Sequence, residues 1–339
     1  MEIKTLFVIT LSTARVFFPG IPMTTENGPP PRPAEVSPAV KTITFDVLSD
    51  QKTDKNSTAT CAVPEGLKLG KTLTLQIDPR YLEDKEAKPV ESTKGVPTVK
   101  CLAYWGCAEK IADGQPMVMD PKANVETKSE AKPDDKPEVR NNPIQLPSKS
   151  YAYWPWGLAP DIADDASAPG VYTLTTSFAG GTEVMLDKDQ DFMQGLTIAN
   201  VDKQHDPNKP IEIRWNSIKG ARAYFVSAVG GSDEASITWN CSAKPNAPTD
   251  LESRAIEKDE LEKLIKDGVV LSPETTKCVI PAGVFAKANS AVVNLIAIGA
   301  DKIQEKDGIV THVVVRSSAG IPILTAPYVE PPPPAPEAK

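Results

Sequence analysis

The chain has 339 residues, 40% of them hydrophobic and 24% charged, enough apolar material for packed domains, which excludes wholesale disorder. A net charge of −8 speaks against nucleic acid as a main partner, because phosphate binding needs an excess of Lys and Arg. Only two histidines are present, which starves most acid–base and metal chemistry, and 33 prolines, about twice the usual share, point to extended segments.

At the N-terminus, Lys4 precedes an apolar run that begins at Leu6 and is broken by Arg15. A charged start followed by a greasy segment is the pattern of a secretory leader, here residues 1–25. The other reading of the run is a buried N-terminal strand. Linker composition follows at once, which favours export and places the protein at the cell surface, outside the cell or in the periplasm. No later stretch reaches the roughly 18 uncharged apolar residues of a membrane-spanning helix. Residues 26–40 are a Pro-rich spacer, since proline fixes φ and removes a donor.

Residues 41–120 read as a small β-rich domain. Thr42–Leu48, Leu73–Ile77 and Val99–Trp105 are its strand candidates, the second with clean alternation. Five cysteines, Cys61, Cys101, Cys107, Cys241 and Cys278, suggest one or two disulfides in an exported protein. Cys241 and Cys278 fall in one later domain and could pair. A Cys101–Cys107 loop presenting Tyr104 and Trp105 is a second candidate, and the pairing of the first three cysteines stays open. All five as small buried hydrophobes is the remaining reading.

Residues 121–150 are a second linker, charged and Pro-rich, with few side chains able to offset chain entropy. Residues 151–194 hold an aromatic segment and a hairpin. Tyr151, Tyr153, Trp154 and Trp156 stand on a frame of Pro155 and Gly157. Flat rings of this kind suit stacking on sugars or docking a partner, or they plug the junction between linker and sandwich. The plug is the preferred reading. Val171–Phe178 alternates, Ala179-Gly180-Gly181 turns the chain, and Thr182–Leu186 returns.

Residues 195–325 are the most legible. Leu196–Val201, Ile211–Asn216, Ala223–Ala228, Ser236–Trp239, Lys277–Ile280, Ala291–Ile298 and Val310–Val315 form a series of seven short strands separated by turn signals, which predicts an antiparallel β-sandwich. Between the fourth and fifth, Asp250–Val269 reads as a helix with Leu261, Leu264 and Ile265 on one face and Gly268 as its stop. Residues 326–339 are a Pro-rich tail. The fold class is thus mainly β, a sandwich with an inserted helix plus a smaller N-terminal β-rich domain.

The stretch from Ile213 to Tyr224, with Trp215, Gly220 and Ala221 between, resembles the B-to-C segment of fibronectin type III-like domains, and Cys278–Gly283 resembles their E strand and E–F turn. The resemblance implies that Trp215 and Tyr224 face each other across two sheets. An inserted helix departs from it. The rest of the chain resembles uncharacterised exported bacterial proteins, which implies no activity.

Groups able to do chemistry are sparse. His205 lies in a polar loop beside Asp206 without a nucleophile motif, and His312 sits on the last strand in register with Val310 and Val314. Asp187, Asp189 and Asp191 open like a calcium loop, but Phe192 and Ile198 stand where glycine and a carboxylate are needed. Cysteine spacing does not fit structural zinc, and the Gly-Gly pairs fall at hairpin turns instead of cradling phosphate. Asn56-Ser57-Thr58 and Asn240-Cys241-Ser242 match glycosylation sequons, which matter only in a eukaryotic secretory pathway. No cofactor is expected. The sequence therefore predicts an exported, non-catalytic protein acting in cell-surface structure or by contact with a protein, a cell-surface glycan or its own copies. The alternative is a carbohydrate-binding module using Tyr151, Tyr153, Trp154 and Trp156. A hydrolase drawing on carboxylates of 161–165 or 187–191 is the third reading.

Overall fold

A computed structural model describes residues 4–16, 38–81, 99–119, 149–157, 160, 162–199, 206–232, 234–245 and 247–324. Most of the two Pro-rich or charged linkers, the tail and His205 lie outside the described residues. Among the described residues the chain is mainly β. Its strands are β1 (Thr5–Val16), β2 (Val40–Ser49), β3 (Ala59–Ala62), β4 (Thr72–Ile77), β5 (Lys100–Trp105), β6 (Met117–Met119), β7 (Ser150–Trp154), β8 (Gly170–Thr176) and β9 (Gly180–Leu186). They continue with β10 (Ile198–Ala199), β11 (Ile211–Trp215), β12 (Ala223–Gly231), β13 (Ala235–Asn240), β14 (Lys277–Ile280), β15 (Ser290–Ile298), β16 (Lys302–Lys306) and β17 (Ile309–Leu324). Helix α1 (Lys258–Lys266) lies between β13 and β14.

One large sheet runs β6-β5-β13-β12-β15-β17-β1-β2-β7-β4-β3-β8-β9, with β16 also paired to β17. A second sheet of three strands runs β10-β11-β14. The large sheet is mixed rather than antiparallel throughout: β1 runs parallel to β17, and β5 parallel to β13. The strands of residues 41–120 do not stay together. β2, β3 and β4 join the β1 side of the sheet, whereas β5 and β6 extend the other side beyond β13.

The N-terminal apolar run takes its strand form. Phe7, Ile9 and Leu11 of β1 are fully buried, and Val8, Thr10 and Ser12 alternate with them on the other face, as a pleated strand requires. A leader cut within residues 1–25 would remove this strand from the middle of the sheet. Around it, Phe45 of β2 meets Phe7, Trp154 of β7 and Tyr172 of β8, with ring centroids 6.3, 5.8 and 6.0 Å away. β17 is buried on both faces from Ile309 to Ser317, which explains why Val313, Val314 and Val315 follow one another without alternation. Its hairpin with β16 turns at Asp307 and Gly308, both at positive φ, the conformation that lets a two-residue turn match the strand twist.

In the C-terminal half, β11 pairs with β14 in the three-stranded sheet while β12 pairs with β13 and β15 in the large one. Trp215 and Tyr224 bring the two sheets into contact, their centroids 5.5 Å apart. Helix α1 is shorter than the periodic stretch that predicts it. Leu261 is buried and Leu264 and Ile265 pack on the core, with acidic residues in the first turn and lysines in the last, as the helix dipole favours. The preceding residues 250–256 are instead held by a buried ion pair. Arg316 Nη1 lies 2.7 Å from Asp301 Oδ1, and the guanidinium also donates to the carbonyls of Leu251, Arg254 and Val315. Asp301 accepts the backbone N–H groups of Ile256 and Val315.

His312, opposite Val8 and Ile303, is buried, and burial first and Arg254 second hold its imidazole below the usual histidine range. The fold therefore favours the neutral ring, while the unfolded chain takes up its proton near pH 6.5. Stability present above that pH is lost as pH falls through it, with a slope of up to about 1.4 kcal/mol per pH unit. Thermal unfolding followed from pH 7 to pH 5 checks this: His312→Gln should flatten the dependence, and equal slopes in the two proteins would refute it.

A candidate contact surface of stacked aromatic rings

β7 follows the two-residue period, so its aromatic side chains separate. Ser150 and Ala152 are buried, Tyr151 and Tyr153 lie on the opposite face, and Trp154 turns toward Phe45 in the core. Beyond the strand, Trp156 is 59% exposed. Of the four aromatics singled out in the sequence, Trp154 thus has the packing role, and Tyr151, Tyr153 and Trp156 make one outward strip. Tyr151 and Tyr153 stack at 5.1 Å with planes 16° apart, and Tyr153 meets Trp156 at 5.8 Å and 37°. Rings piled on one another spend their faces on each other. The pile ends on Trp156, the most exposed of its three rings.

Neighbouring strands add polar groups on the same face. Asp46 of β2 and Gln76 of β4 both stand opposite Tyr153. The Tyr151 hydroxyl donates to Asp46 Oδ1 at 2.6 Å, and the Thr44 hydroxyl to Asp46 Oδ2 at 3.3 Å. Burial lifts the Asp46 carboxyl above the usual carboxylate range, against the downward pull of these two bonds. Burial and the facing Asp46 raise the Tyr151 phenol. Just past β4, Asp78 donates its backbone N–H to the Tyr151 carbonyl, and its carboxylate takes a forked contact from Arg80, which holds it below the ordinary range. Asp46, Gln76, Asp78 and Arg80 carry no local motif. They reach the strip through strand pairing across long sequence gaps, a signal absent from any short window.

Asp46 thus accepts from two hydroxyls and Asp78 from a guanidinium. The acidic runs proposed for a hydrolase have structural partners too. Asp165 pairs with Lys68, and Asp189 lies 3.5 Å from Arg222. Asp191 accepts from the Ser167 hydroxyl and from the backbone N–H groups of Ala168 and Phe192. Asp161 lies outside the described residues. No group of three or more His, Cys, Asp or Glu able to hold a metal is found among the described residues.

The cysteines pair differently from the sequence expectation. Cys278 is bonded to Cys107, not to Cys241, and Cys101 and Cys241 are thiols. The reason is the course of the chain after β5: β5 pairs in parallel with β13, and the segment that follows lies along β14, where the Ala108 N–H donates to the Val279 carbonyl and Cys107 meets Cys278. The Cys241 carbonyl is 3.8 Å from Cys107 Sγ. Cys241 is buried, its sulfur takes the Val226 N–H at 3.3 Å, and burial pushes its thiol up to about 12. The Cys107–Cys278 bond joins the large sheet to the three-stranded one.

Family models, curated proteins and solved structures give no match to this chain.

Proposed function

We propose that this protein is a non-catalytic binding protein of the cell surface or another extracytoplasmic setting, and that it works by contact with a protein partner through the Tyr151–Tyr153–Trp156 strip. The observation that carries this reading is the solvent-facing Trp156 at the end of a rigid ring stack. An exposed tryptophan anchored by neighbours is the side chain most often found at the energetic centre of protein interfaces. A disulfide between residues 171 apart supports an oxidising compartment. The C-terminal half is read as fibronectin type III-like: β11 and β12 occupy different sheets with Trp215 against Tyr224, and β14 returns to β11. The added neighbours β5 and β6 beside β13, and β1 beside β17, are departures from that pattern.

A glycan is the second reading, favoured by the exposed Trp156 between Pro155 and Gly157. Retention of the labelled protein on cell-envelope preparations separates the two. For a protein partner, protease treatment of the envelopes should abolish retention, and Trp156→Ala should weaken it about thirty-fold, the equivalent of about 2 kcal/mol. Retention that survives protease and is competed by soluble sugar establishes the glycan reading. Retention indifferent to Trp156→Ala removes the strip from function. The matching stability expectation is asymmetric: Trp154→Ala should cost about 3 kcal/mol by emptying part of the aromatic core, and Trp156→Ala no more than about 0.5 kcal/mol. Chemical denaturation of the two variants measures both.

A further inference from the structure

Strand pairing sets Met117, Ala103, Thr238, Val229, Val292 and Pro322 side by side, one from each of β6, β5, β13, β12, β15 and β17. Paired residues project from the same face of a sheet, so the six form one row across it. That face is the outward one. The residues that alternate with the row, such as Ile237 and Val293, are buried, whereas Val229 is 51% and Val292 43% exposed. The rows on either side run from Met119 to Ser290 and from Trp105 to Gly320, and between their ends hold only Cys101, serine, asparagine and glycine. A sheet face open to water ordinarily carries polar and charged residues at its outward positions. Here, in a chain that is 24% charged, five neighbouring strands and the end of a sixth present no charge in these rows.

We propose that two copies of this chain associate through this uncharged face, sheet against sheet about a two-fold axis. Charge selects the occupant. In a two-fold contact each residue near the axis meets its own copy, so any charge there would oppose its like. An uncharged patch avoids that cost, in a molecule whose net charge of −8 makes copies repel elsewhere. A protein recognised through ion pairs would find no partners for its charges here, and nucleic acid no Lys or Arg. The exposed Val229 and Val292, register partners in the middle of the row, supply the apolar centre of the contact. Six strands about 4.8 Å apart and three rows of side chains about 7 Å apart make a patch on the order of 500 Å² per copy. The two patches together, about 1,000 Å², fall at the low end of specific protein contacts, which makes the dimer weak and dependent on concentration. This surface is separate from the Tyr151–Tyr153–Trp156 strip, which lies beyond β2 in the strand order.

Cys101 is a built-in probe, a half-buried thiol on the face itself, whereas the thiols of Cys61 and Cys241 are buried. Sedimentation of the intact chain over a concentration series should show the mass doubling. Alkylation by N-ethylmaleimide, mapped by peptide mass, should label Cys101 readily in the dilute monomer and slow in step with the loss of monomer. Val229→Lys with Val292→Lys changes two exposed side chains, so the unfolding transition should match the parent's while the association weakens at least ten-fold. Thr238→Lys, in the same row, gives the same reading if the double variant unfolds. Trp156→Ala should dimerise as the parent does. A parent still monomeric at about 1 mM overturns the proposal. So does a dimer that folded lysine variants leave intact, or one lost on Trp156→Ala, since the contact then lies elsewhere. Slow labelling of Cys101 in the dilute monomer also overturns it, because residues of the same chain would then cover the face.

Discussion

Replacing Cys107 and Cys278 together by Ser should lower the unfolding free energy by about 3–5 kcal/mol, the largest effect expected for any surface-neutral change in this molecule. A bond closing a loop of 171 residues restricts the unfolded chain strongly, and the chain-entropy figure for that length is about 5 kcal/mol, of which native-state effects return a part. The bond also has a structural task, since it fastens β14 of the small sheet to the segment after β5 in the large one. Cys241→Ala should cost far less, on the order of 1–2 kcal/mol, because it removes only a buried sulfur that receives one backbone N–H. Denaturant titration of the three proteins measures the ranking, and a non-reducing peptide map reads the pairing itself. Equal losses in the Cys241 variant, or a mapped Cys241–Cys278 peptide, would contradict a Cys107–Cys278 bond.

Arg316→Met is the second large effect, with an expected loss of about 3–5 kcal/mol. Both ends of the Arg316–Asp301 pair are essentially withdrawn from solvent, and the guanidinium also satisfies three backbone carbonyls. Removing it strands a carboxylate in the interior and leaves the carbonyls of Leu251 and Arg254 without their donor. The converse test is the double variant Arg316→Met with Asp301→Leu. Removing both charges should recover a good part of the loss, because the penalty comes chiefly from the orphaned partner. A double-mutant cycle that shows simple additivity would mean that the two groups do not act as a pair in the folded protein. Hydrogen exchange of residues 250–256 should rise in the single variant, since this segment is tied to the sheet through those contacts.

Several strands of the C-terminal half are legible in the sequence because they bury one face, as β11 and the first part of β15 do. Ile211, Ile213 and Trp215 alternate inward, and Trp215 meets Tyr224 of the next strand. The order of strands across the sheet is not legible. β1 and β17 lie at opposite ends of the sequence, and β5 joins β13 in parallel from a distant part of the chain, so nothing local announces either pairing. The same cause hides the cysteine pairing: bringing Cys107 to Cys278 depends on β5 reaching β13 from a distant part of the chain. The apolar run at residues 5–16 is ambiguous by composition, because a leader and a strand buried in a sheet centre both need uncharged, β-branched and aromatic side chains. The aromatic segment reads as one cluster in the sequence, yet a strand period of two divides it, sending Trp154 inward and Tyr151 and Tyr153 outward. The polar rim of Asp46, Gln76 and Asp78 comes from strands nowhere near it in sequence.

Residues 5–16 form a structural strand that seams the large sheet. Amide hydrogen exchange measured by mass spectrometry on the intact chain reads this without any substitution. Peptides covering 5–16 and 309–320 should be protected together, to the level set by global unfolding, as expected for a strand bonded on both edges beside its most buried neighbour. Exchange of 5–16 at the rate of an unstructured peptide, while 309–320 stays protected, would contradict it.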